Sequence, residues 1–259
     1  MTTTEGRLAG RTAIVTGAGQ GVGEGIARRL AIEGANVVIA ARRASTGEPV
    51  AHAIRAGDGQ AVCVETDVAD RSSVERCVAA TIEQFGSLEI VVHNAFSGAI
   101  PHRLEDVEID RHWSLMSRTG VWAVLFLARA AWPHLAEAGA SGRLVIVTSP
   151  SALEGSANIP LYSSVKAAER AIAKSIAREW GPLGITVNCI APVASSPALI
   201  AAFEQNPSLR AAIEARTPLG RVGDPERDIG AVAAFLAGDD SSYVTGQTIV
   251  CDGGSFLGL

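Results

Sequence analysis

Cysteine and histidine are scarce in this 259-residue sequence, and neither residue type is arranged for metal binding. The cysteines stand singly, without a Cys-x-x-Cys pair, and the histidines show no metal-ligand spacing. We therefore predict no metal or redox centre, and we interpret the thiols as buried structural groups. The cysteines are Cys63, Cys77, Cys189 and Cys251, and one of the histidines, His93, lies at a predicted strand end.

Charge and long apolar runs are also limited. Charged residues make up 19% of the chain, the net charge is -5, and no basic stripe with interleaved aromatic residues is present. Residues 1–10 lack the basic and apolar regions of a secretory signal. The most apolar window, residues 121–136, is broken by Arg129, Pro133 and His134 and is too short to span a bilayer. We expect a cytoplasmic protein with neither a nucleic-acid nor a membrane partner.

Hydrophobic residues are abundant, at 47% of the chain, so the sequence can bury a sizeable core. Apolar segments typical of strands recur, and most are separated by helix-length segments. This alternation predicts parallel strands joined by right-handed crossover helices. The expected fold is α/β, a single doubly wound Rossmann-type domain over residues 1–259 with a parallel sheet of about seven strands flanked by helices. The predicted strands are 11–16, 36–41, 60–65, 88–93, 143–148, 185–190 and 248–251.

A glycine-rich turn lies between the first predicted strand and the first predicted helix. The first amides of a helix are unpaired and carry partial positive charge, so they attract a phosphate where no side chain blocks its approach. A flexible surface turn is the alternative, but the flanking strand and helix favour a phosphate site. The turn reads Thr16-Gly17-Ala18-Gly19-Gln20-Gly21-Val22-Gly23, which is Thr-Gly-x-x-x-Gly-x-Gly rather than Gly-x-Gly-x-x-Gly.

Tyr162 and Lys166 lie four residues apart in a predicted helix over residues 161–180, which places them on one face. A phenol ordinarily has a pKa of about 10, and a neighbouring ammonium favours the phenolate. Such a pair could exchange a proton with a carbonyl or alcohol oxygen. A chance pair on a solvated face is the alternative. Ser149, at the end of the fifth predicted strand, could bind the same oxygen and favours the chemical interpretation.

The glycine turn and the Ser149, Tyr162 and Lys166 set resemble the short-chain dehydrogenase/reductase family, and the resemblance covers residues 10–254. It implies an NAD(P)-dependent oxidoreductase that interconverts a carbonyl and an alcohol. By that resemblance Tyr162 transfers the proton, Lys166 also anchors the cofactor ribose, and Ser149 polarises the carbonyl. It further implies a homo-oligomer, a tetramer or a dimer. The C-terminal segments that contribute to it include Pro218-Leu219-Gly220-Arg221, Tyr243-Val244-Thr245-Gly246-Gln247 and Asp252-Gly253-Gly254.

The resemblance also assigns residues to the cofactor. Asp67 and Val68 would contact the adenine, Asn94 would tie the centre of the sheet together, and Val193 would lie beside the nicotinamide. The full set of predicted cofactor-binding residues is Gly17, Gly19, Gln20, Gly21, Val22, Gly23, Arg42, Arg43, Asp67, Val68, Asn94, Ala95, Tyr162, Lys166, Pro192, Val193 and Ser195.

Two arginines follow the second predicted strand, where an enzyme that uses NAD tends to place a carboxylate for the ribose 2'-hydroxyl. A carboxylate would repel a 2'-phosphate, whereas a guanidinium can bind it with paired hydrogen bonds. We therefore predict NADP in preference to NAD, with Arg42 as the first contact and Arg43 as the second. Solvated arginines that open a helix are the alternative, and Gln20 stands where relatives that use NADP often carry a basic residue.

Four positions depart from the family pattern. Phe96 replaces a glycine, Val193 replaces another, and Pro197 falls where a threonine is expected. An apolar stripe predicts one long helix over residues 106–137, and Ser117 in it aligns with the asparagine that holds a proton-relay water in the family. A serine could also bond such a water, and an ordinary helix residue is the alternative. These departures leave open an alternative function, a catalytically impaired NADP-binding sensor or partner protein. A helical insert at about residues 194–216 is the expected substrate lid, and its apolar residues, with Phe96, suggest an apolar substrate.

Overall fold

The computed structural model describes residues 6–98 and 101–256, and the strands in them form one seven-stranded parallel sheet. The strand order is β3-β2-β1-β4-β5-β6-β7, so the winding direction reverses between β1 and β4. Ligands of such sheets bind at this reversal, at the carboxyl ends of the strands. The strands are β1 (Thr12–Thr16), β2 (Asn36–Ala41), β3 (Gln60–Glu65), β4 (Ile90–His93), β5 (Arg143–Val147), β6 (Thr186–Pro192) and β7 (Thr248–Cys251).

Helices cover both faces of the sheet, which confirms the predicted doubly wound fold. Within residues 6–98 and 101–256, no helix is both long and apolar enough to cross a bilayer. The α-helices are α1 (Gly21–Ile32), α2 (Ala44–Ala56), α3 (Arg71–Phe85), α4 (Ile109–Ser117), α5 (Ala123–Ala138), α6 (Ser151–Glu154), α7 (Pro160–Trp180), α8 (Pro197–Gln205), α9 (Pro207–Arg216) and α10 (Ala231–Ala237).

The core has two layers because successive strand residues point to opposite faces of the sheet. Val15 and Ile39 pack with the residues of α1 and α10, whereas Ile14 and Val38 pack with those of α3, α5 and α7. Both faces are therefore covered, which explains the continuous apolar runs in the strand sequences.

Several predicted segments differ in their bounds from the observed elements, most of them by one or two residues. The strand expected over residues 88–93 begins at Ile90, and the helix expected over 106–137 begins at Ile109 and is divided by a π-helical turn at Arg118–Trp122. Within this turn the Thr119 hydroxyl donates to the Leu115 carbonyl at 3.0 Å. The predicted insert forms two helices, α8 and α9, with Asn206 between them.

An ion cluster ties the segment before β1 to the end of α1. The carboxylate of Glu33 accepts from Arg7 at 2.7 and 2.9 Å and from Arg29 at 2.7 and 2.9 Å. These contacts lower the pKa of Glu33 from 4.5 to about 2, the hydrogen bond to Arg7 being the main cause. The cluster therefore stabilises the fold above pH 4.5, and this contribution is lost as the pH falls towards 2.

We predict that Glu33→Gln lowers the free energy of unfolding by about 1–2 kcal/mol at pH 7. The difference from the wild type should shrink below pH 4.5, because protonation then removes the same charge from the wild type. Urea denaturation at pH 7 and pH 2.5 measures both values. Glu75→Gln is the control: the Arg71–Glu75 pair is about half exposed, and its loss should cost less than about 0.5 kcal/mol. A pH-independent loss in Glu33→Gln would contradict the prediction.

Candidate active site

A cleft of about 470 Å³ lies along the carboxyl ends of the strands. It brings together the glycine turn, the ends of β2, β3 and β4, and the first turns of α7. Most of the predicted site residues therefore meet in one place. The predicted residues that line it are Gly17, Gly19, Gln20, Gly21, Val22, Arg42, Arg43, Asp67, Val68, Asn94, Ala95, Tyr162, Lys166 and Pro192.

The glycine turn packs tightly against the end of β4. Gly17 has a φ of +65°, and a Cβ there would lie 2.8 Å from the Cα of Ala95. The side-chain amide of Asn94 donates to the carbonyls of Thr16 at 3.0 Å and Gly17 at 3.2 Å. Asn94 thus links the turn to the neighbouring strand.

The start of α1 can accommodate a phosphate. Gln20 is the N-cap residue, and its side chain makes no capping hydrogen bond. The turn residues Gly21 and Val22 border the cleft. The first amides of α1 are therefore not satisfied by their cap and lie beside open space, as a dinucleotide pyrophosphate requires.

Arg42 and Arg43 are exposed at the end of β2, and both border the cleft. Arg43 is the N-cap residue of α2, and its carbonyl accepts from the Thr46 hydroxyl at 2.9 Å. Just after the end of β3, the carboxylate of Asp67 accepts from the Ala69 amide at 2.9 Å. The cleft therefore has guanidinium groups at one strand end and a carboxylate at the adjacent one.

Tyr162 and Lys166 occupy the same side of α7, as predicted, and both border the cleft. The Tyr162 ring meets the Phe96 ring edge to face, with centroids 5.2 Å apart. Lys166 is only 3% exposed, and its Nζ lies 4.5 Å from the centre of the Phe96 ring. Phe96, the departure from the family pattern, therefore contacts both residues.

Glu169, which the sequence analysis missed, pairs with Lys166. Lys166 Nζ donates to the Val147 carbonyl at 2.9 Å and to the Glu169 carboxylate oxygens at 3.0 and 3.2 Å. Burial raises the pKa of Glu169, and the charge of Lys166 opposes that rise. A sequence signal existed: Glu169 falls within the apolar stripe of α7, between Val165 and Ala173, where a carboxylate needs a partner.

Two predicted serines make local contacts and do not border the cleft. The Ser149 hydroxyl accepts from the Ser151 amide at 3.3 Å and from the Ser151 hydroxyl at 3.0 Å. The Ser117 hydroxyl donates to the Ser114 carbonyl within α4 at 3.2 Å. Thr119, two residues further along the chain, borders the cleft instead.

The segment after β6 presents different residues from those predicted. Val193 and Ser195 use their backbone amides to bond the carbonyls of Cys251 and Gly223, each at 2.9 Å. The cleft is bordered here by Ala194, Ser196 and Pro197. Alternation along this extended segment accounts for the change, because neighbouring residues point to opposite sides.

The thiols are poor nucleophiles at neutral pH. Burial is the main cause that raises the pKa of Cys77 and Cys251 to about 11 and that of Cys189 to about 12. In the part of the chain that the structure describes, no group of His, Cys, Asp and Glu residues is arranged to hold a metal ion.

His93 is a wholly buried titratable group at the end of β4. Its Nδ1 lies 3.3 Å from the Thr16 hydroxyl. Burial, and then the charge of Lys166, lower the pKa of His93 from 6.5 to about 3, while the Thr119 backbone opposes the shift. The imidazole is therefore neutral at physiological pH, and the site gains no positive charge from it.

The fold, the glycine turn and the cleft at the strand reversal define a nucleotide-binding protein of Rossmann type. A family model described as enoyl-(acyl carrier protein) reductase matches residues 17–255. The sequence is 35% identical over 257 residues to L-rhamnose 1-dehydrogenase (NAD(P)(+)) of Azotobacter vinelandii, with 97% of this chain and 99% of that protein covered.

Solved structures agree with this comparison. The 3-ketoacyl-(acyl-carrier-protein) reductase of Brucella melitensis complexed with NADH superposes with a TM-score of 0.88 at 32% identity, covering 96% of this chain and 100% of that chain. A 7α-hydroxysteroid dehydrogenase complexed with NADH and 7-oxo glycochenodeoxycholic acid gives 0.90 at 29% identity, covering 98% of each chain. The chain belongs to the short-chain dehydrogenase/reductase family of oxidoreductases, whose members bind NAD(H) or NADP(H).

We predict that His93→Asn makes the protein less sensitive to acid. A histidine whose pKa is about 3 when folded and 6.5 when unfolded stabilises the fold fully above pH 6.5 and loses that contribution as the pH falls towards 3. Over this fall in pH the wild type should lose about 2–4 kcal/mol more than the variant, because both proteins share the loss from Glu33. Urea denaturation from pH 7.5 to pH 3.5 measures it, with His52→Asn, an exposed histidine on α2, as the control. Equal pH slopes for wild type and His93→Asn would refute the prediction.

Proposed function

We propose that the protein is an NADP(H)-dependent oxidoreductase that interconverts a carbonyl and an alcohol on a small, mainly apolar substrate. One observation carries the proposal: Tyr162 and Lys166 border the same cleft as the glycine turn. A proton-transferring group and a phosphate-binding turn are then within one site, which a dehydrogenase needs and a structural protein does not.

The bound nicotinamide would supply or accept the hydride. Tyr162 would give its hydroxyl proton to the carbonyl oxygen during reduction and take the alcohol proton during oxidation. The positive charge of Lys166 would stabilise the negative charge that develops on the phenol oxygen as its proton leaves, and its ammonium would hold the ribose. Ser149, whose hydroxyl accepts from Ser151 and keeps its own proton, would donate a hydrogen bond to the same substrate oxygen once its side chain turns towards the cleft.

We predict that Tyr162→Phe lowers kcat about 100-fold or more, because the variant cannot transfer the proton. Affinity for NADPH should change little, since the ring and its packing on Phe96 remain. The assay is NADPH oxidation over a panel of ketones and aldehydes, with NADPH binding followed by fluorescence. Tyr243→Phe is a matched control, because that second tyrosine is fully exposed and outside the cleft. Equal rates for wild type and Tyr162→Phe would remove the Tyr162 assignment.

The preference for NADP is supported by Arg42 and Arg43, which are exposed beside the cleft at the end of β2. Neither the dehydrogenase of Azotobacter vinelandii, described with NAD(P)(+), nor the structures with NADH decide this preference. A guanidinium binds a phosphate through charge-assisted hydrogen bonds that a ribose hydroxyl cannot match. We therefore assign the 2'-phosphate to Arg42 first and Arg43 second.

We predict that Arg42→Ala weakens NADPH binding about tenfold and leaves NADH binding nearly unchanged, because only the 2'-phosphate loses a partner. Dissociation constants from NADPH and NADH fluorescence give the ratio. Arg178→Ala, at an exposed position near the end of α7, changes the net charge equally and serves as the control. An equal loss for both cofactors in Arg42→Ala would contradict the assignment of the 2'-phosphate.

The insert supports an apolar substrate and a lid. Pro197, the first residue of α8, borders the cleft. Leu199 and Phe203 of the same helix are half-buried, and Ile200 is 48% exposed. We propose that residues 194–216 close over a substrate with apolar surface and that Phe96 contributes to the same wall.

Assembly into a dimer or tetramer is a further part of the proposal. The rings of Trp132 of α5 and Trp180 of α7 are in tilted contact with centroids 4.9 Å apart, and Trp132 remains 37% exposed. An apolar surface of this kind on two adjacent helices is suited to a subunit contact.

A specific observation favours the second candidate, a cofactor-binding protein without turnover. Within the described residues, Lys166 Nζ donates to Val147 and Glu169, and the Ser149 hydroxyl, which accepts from Ser151, does not border the cleft. Lys166 must give up a contact and Ser149 must turn towards the cleft before they act on cofactor and substrate. NADPH binding without oxidation of NADPH by any carbonyl in the panel would favour this candidate over the enzyme.

A further inference from the structure

Lys166 and Glu169 form an ion pair that is almost completely removed from water. Their side chains are 4% and 0% exposed, and Nζ lies 3.0 Å from Oε2. Burial alone favours the neutral form of an amine and of a carboxyl group. Each charged form here depends on the other, and removal of one partner leaves an uncompensated charge in the interior.

Neighbouring residues fix the positions of both the Glu169 carboxylate and the Lys166 ammonium. A Cβ at Gly120 would lie 2.8 Å from Glu169 Oε1 and 2.4 Å from Val165 Cγ1, so the π-helical turn leaves room for the carboxylate only because residue 120 is glycine. On the other side, the Val147 carbonyl and the Phe96 ring contact Nζ. Lys166 is therefore held from three directions.

We propose that Glu169 is a positioning residue whose carboxylate keeps the buried Lys166 ammonium protonated and holds it between the Val147 carbonyl and the Phe96 ring. The inference depends on the proposed function in one respect: it adopts the proposed contact between Lys166 and the cofactor ribose. An ammonium has three donors, and Glu169 receives contacts through both oxygens. If the Glu169 carboxylate rotated, one N–H of Lys166 would be released, and the negative charge would still lie beside the ammonium.

The other titratable groups near the pair do not replace Glu169. His93 on β4 is neutral from pH 5.5 upwards because its pKa is lowered to about 3, and Cys189 on β6 remains a thiol because its pKa is about 12. Arg170, the next residue on α7, is positive and donates to Thr248 and Ala152. Tyr162, one turn before Lys166, is the remaining ionisable neighbour. Among the described residues around Lys166, Glu169 is thus its carboxylate partner.

A first experiment tests the pair without cofactor. Lys166→Met leaves Glu169 buried without a counter-ion, so its thermal midpoint should lie below that of the wild type at pH 8, by about 5 °C or more. The difference in thermal midpoint between Lys166→Met and the wild type should be smaller at pH 5.5, because protonation of Glu169 removes the buried charge. The double variant Lys166→Met/Glu169→Leu should recover most of the loss at pH 8. A deficit that does not depend on pH, or no deficit, would overturn the proposal.

A second experiment tests the protonation of Lys166 through NADPH binding. In Glu169→Gln the amine should lose its proton at a lower pH, so the dissociation constant should rise about tenfold or more between pH 7 and pH 9.5. In the wild type and in Glu169→Asp, which retains the charge, the rise should be less than about threefold. Glu179→Gln, an exposed position on the same helix, is the matched control. If NADPH binding to Glu169→Gln had the same pH dependence as in the wild type, or if its affinity were lowered equally at every pH, the proposal would be wrong.

The two failures are distinguishable. If the wild type binds no NADPH, the proposed function fails, and the thermal midpoints still decide whether Glu169 and Lys166 are a coupled buried pair. If the wild type binds NADPH and Glu169→Gln shows the wild-type pH dependence, the inference about Glu169 fails and the proposed function stands.

Discussion

The central constraint of this structure is a lysine ammonium buried at the carboxyl edge of a parallel sheet. A charge removed from water must meet acceptors and opposite charge inside the protein, since desolvation otherwise costs several kcal/mol. Lys166 meets both, in the Val147 carbonyl and the Glu169 carboxylate. Its positive charge in turn helps keep His93 neutral, so at neutral pH the interior of the site holds one compensated pair rather than several competing charges.

The fold could be predicted from the sequence because buried parallel strands are written as short, nearly continuous apolar runs. The strands at Asn36–Ala41 and Gln60–Glu65 have the expected bounds, and the strand ending at His93 begins two residues later than expected. The π-helical turn at Arg118–Trp122 could not be predicted in this way. The apolar stripe of a helix gives the same sequence pattern whether or not one turn contains an extra residue. The extra residue rotates the side chains before it about the helix axis relative to the side chains after it.

The same rotation explains why the site was only partly predictable. Motifs fixed by backbone geometry, such as the glycine turn and the i, i+4 spacing of Tyr162 and Lys166, reach the cleft as expected. Ser117 was assigned by alignment along a helix that contains the π-helical turn, and Thr119 borders the cleft instead. The role of Glu169 depends on the space left by Gly120 on another helix, which no local pattern contains.

Phe96 and the buried ion pair are physically connected. The ring borders the cleft, packs on Tyr162 and lies 4.5 Å from Lys166 Nζ, so it shields part of the ammonium from water. Excluding water strengthens the field of the ammonium at the phenol, which would favour the proposed proton transfer, but it also raises the cost of keeping the ammonium charged. A ring at residue 96 therefore increases the need for a carboxylate behind the lysine. Phe96 and Glu169 are best understood together, as two parts of one electrostatic environment.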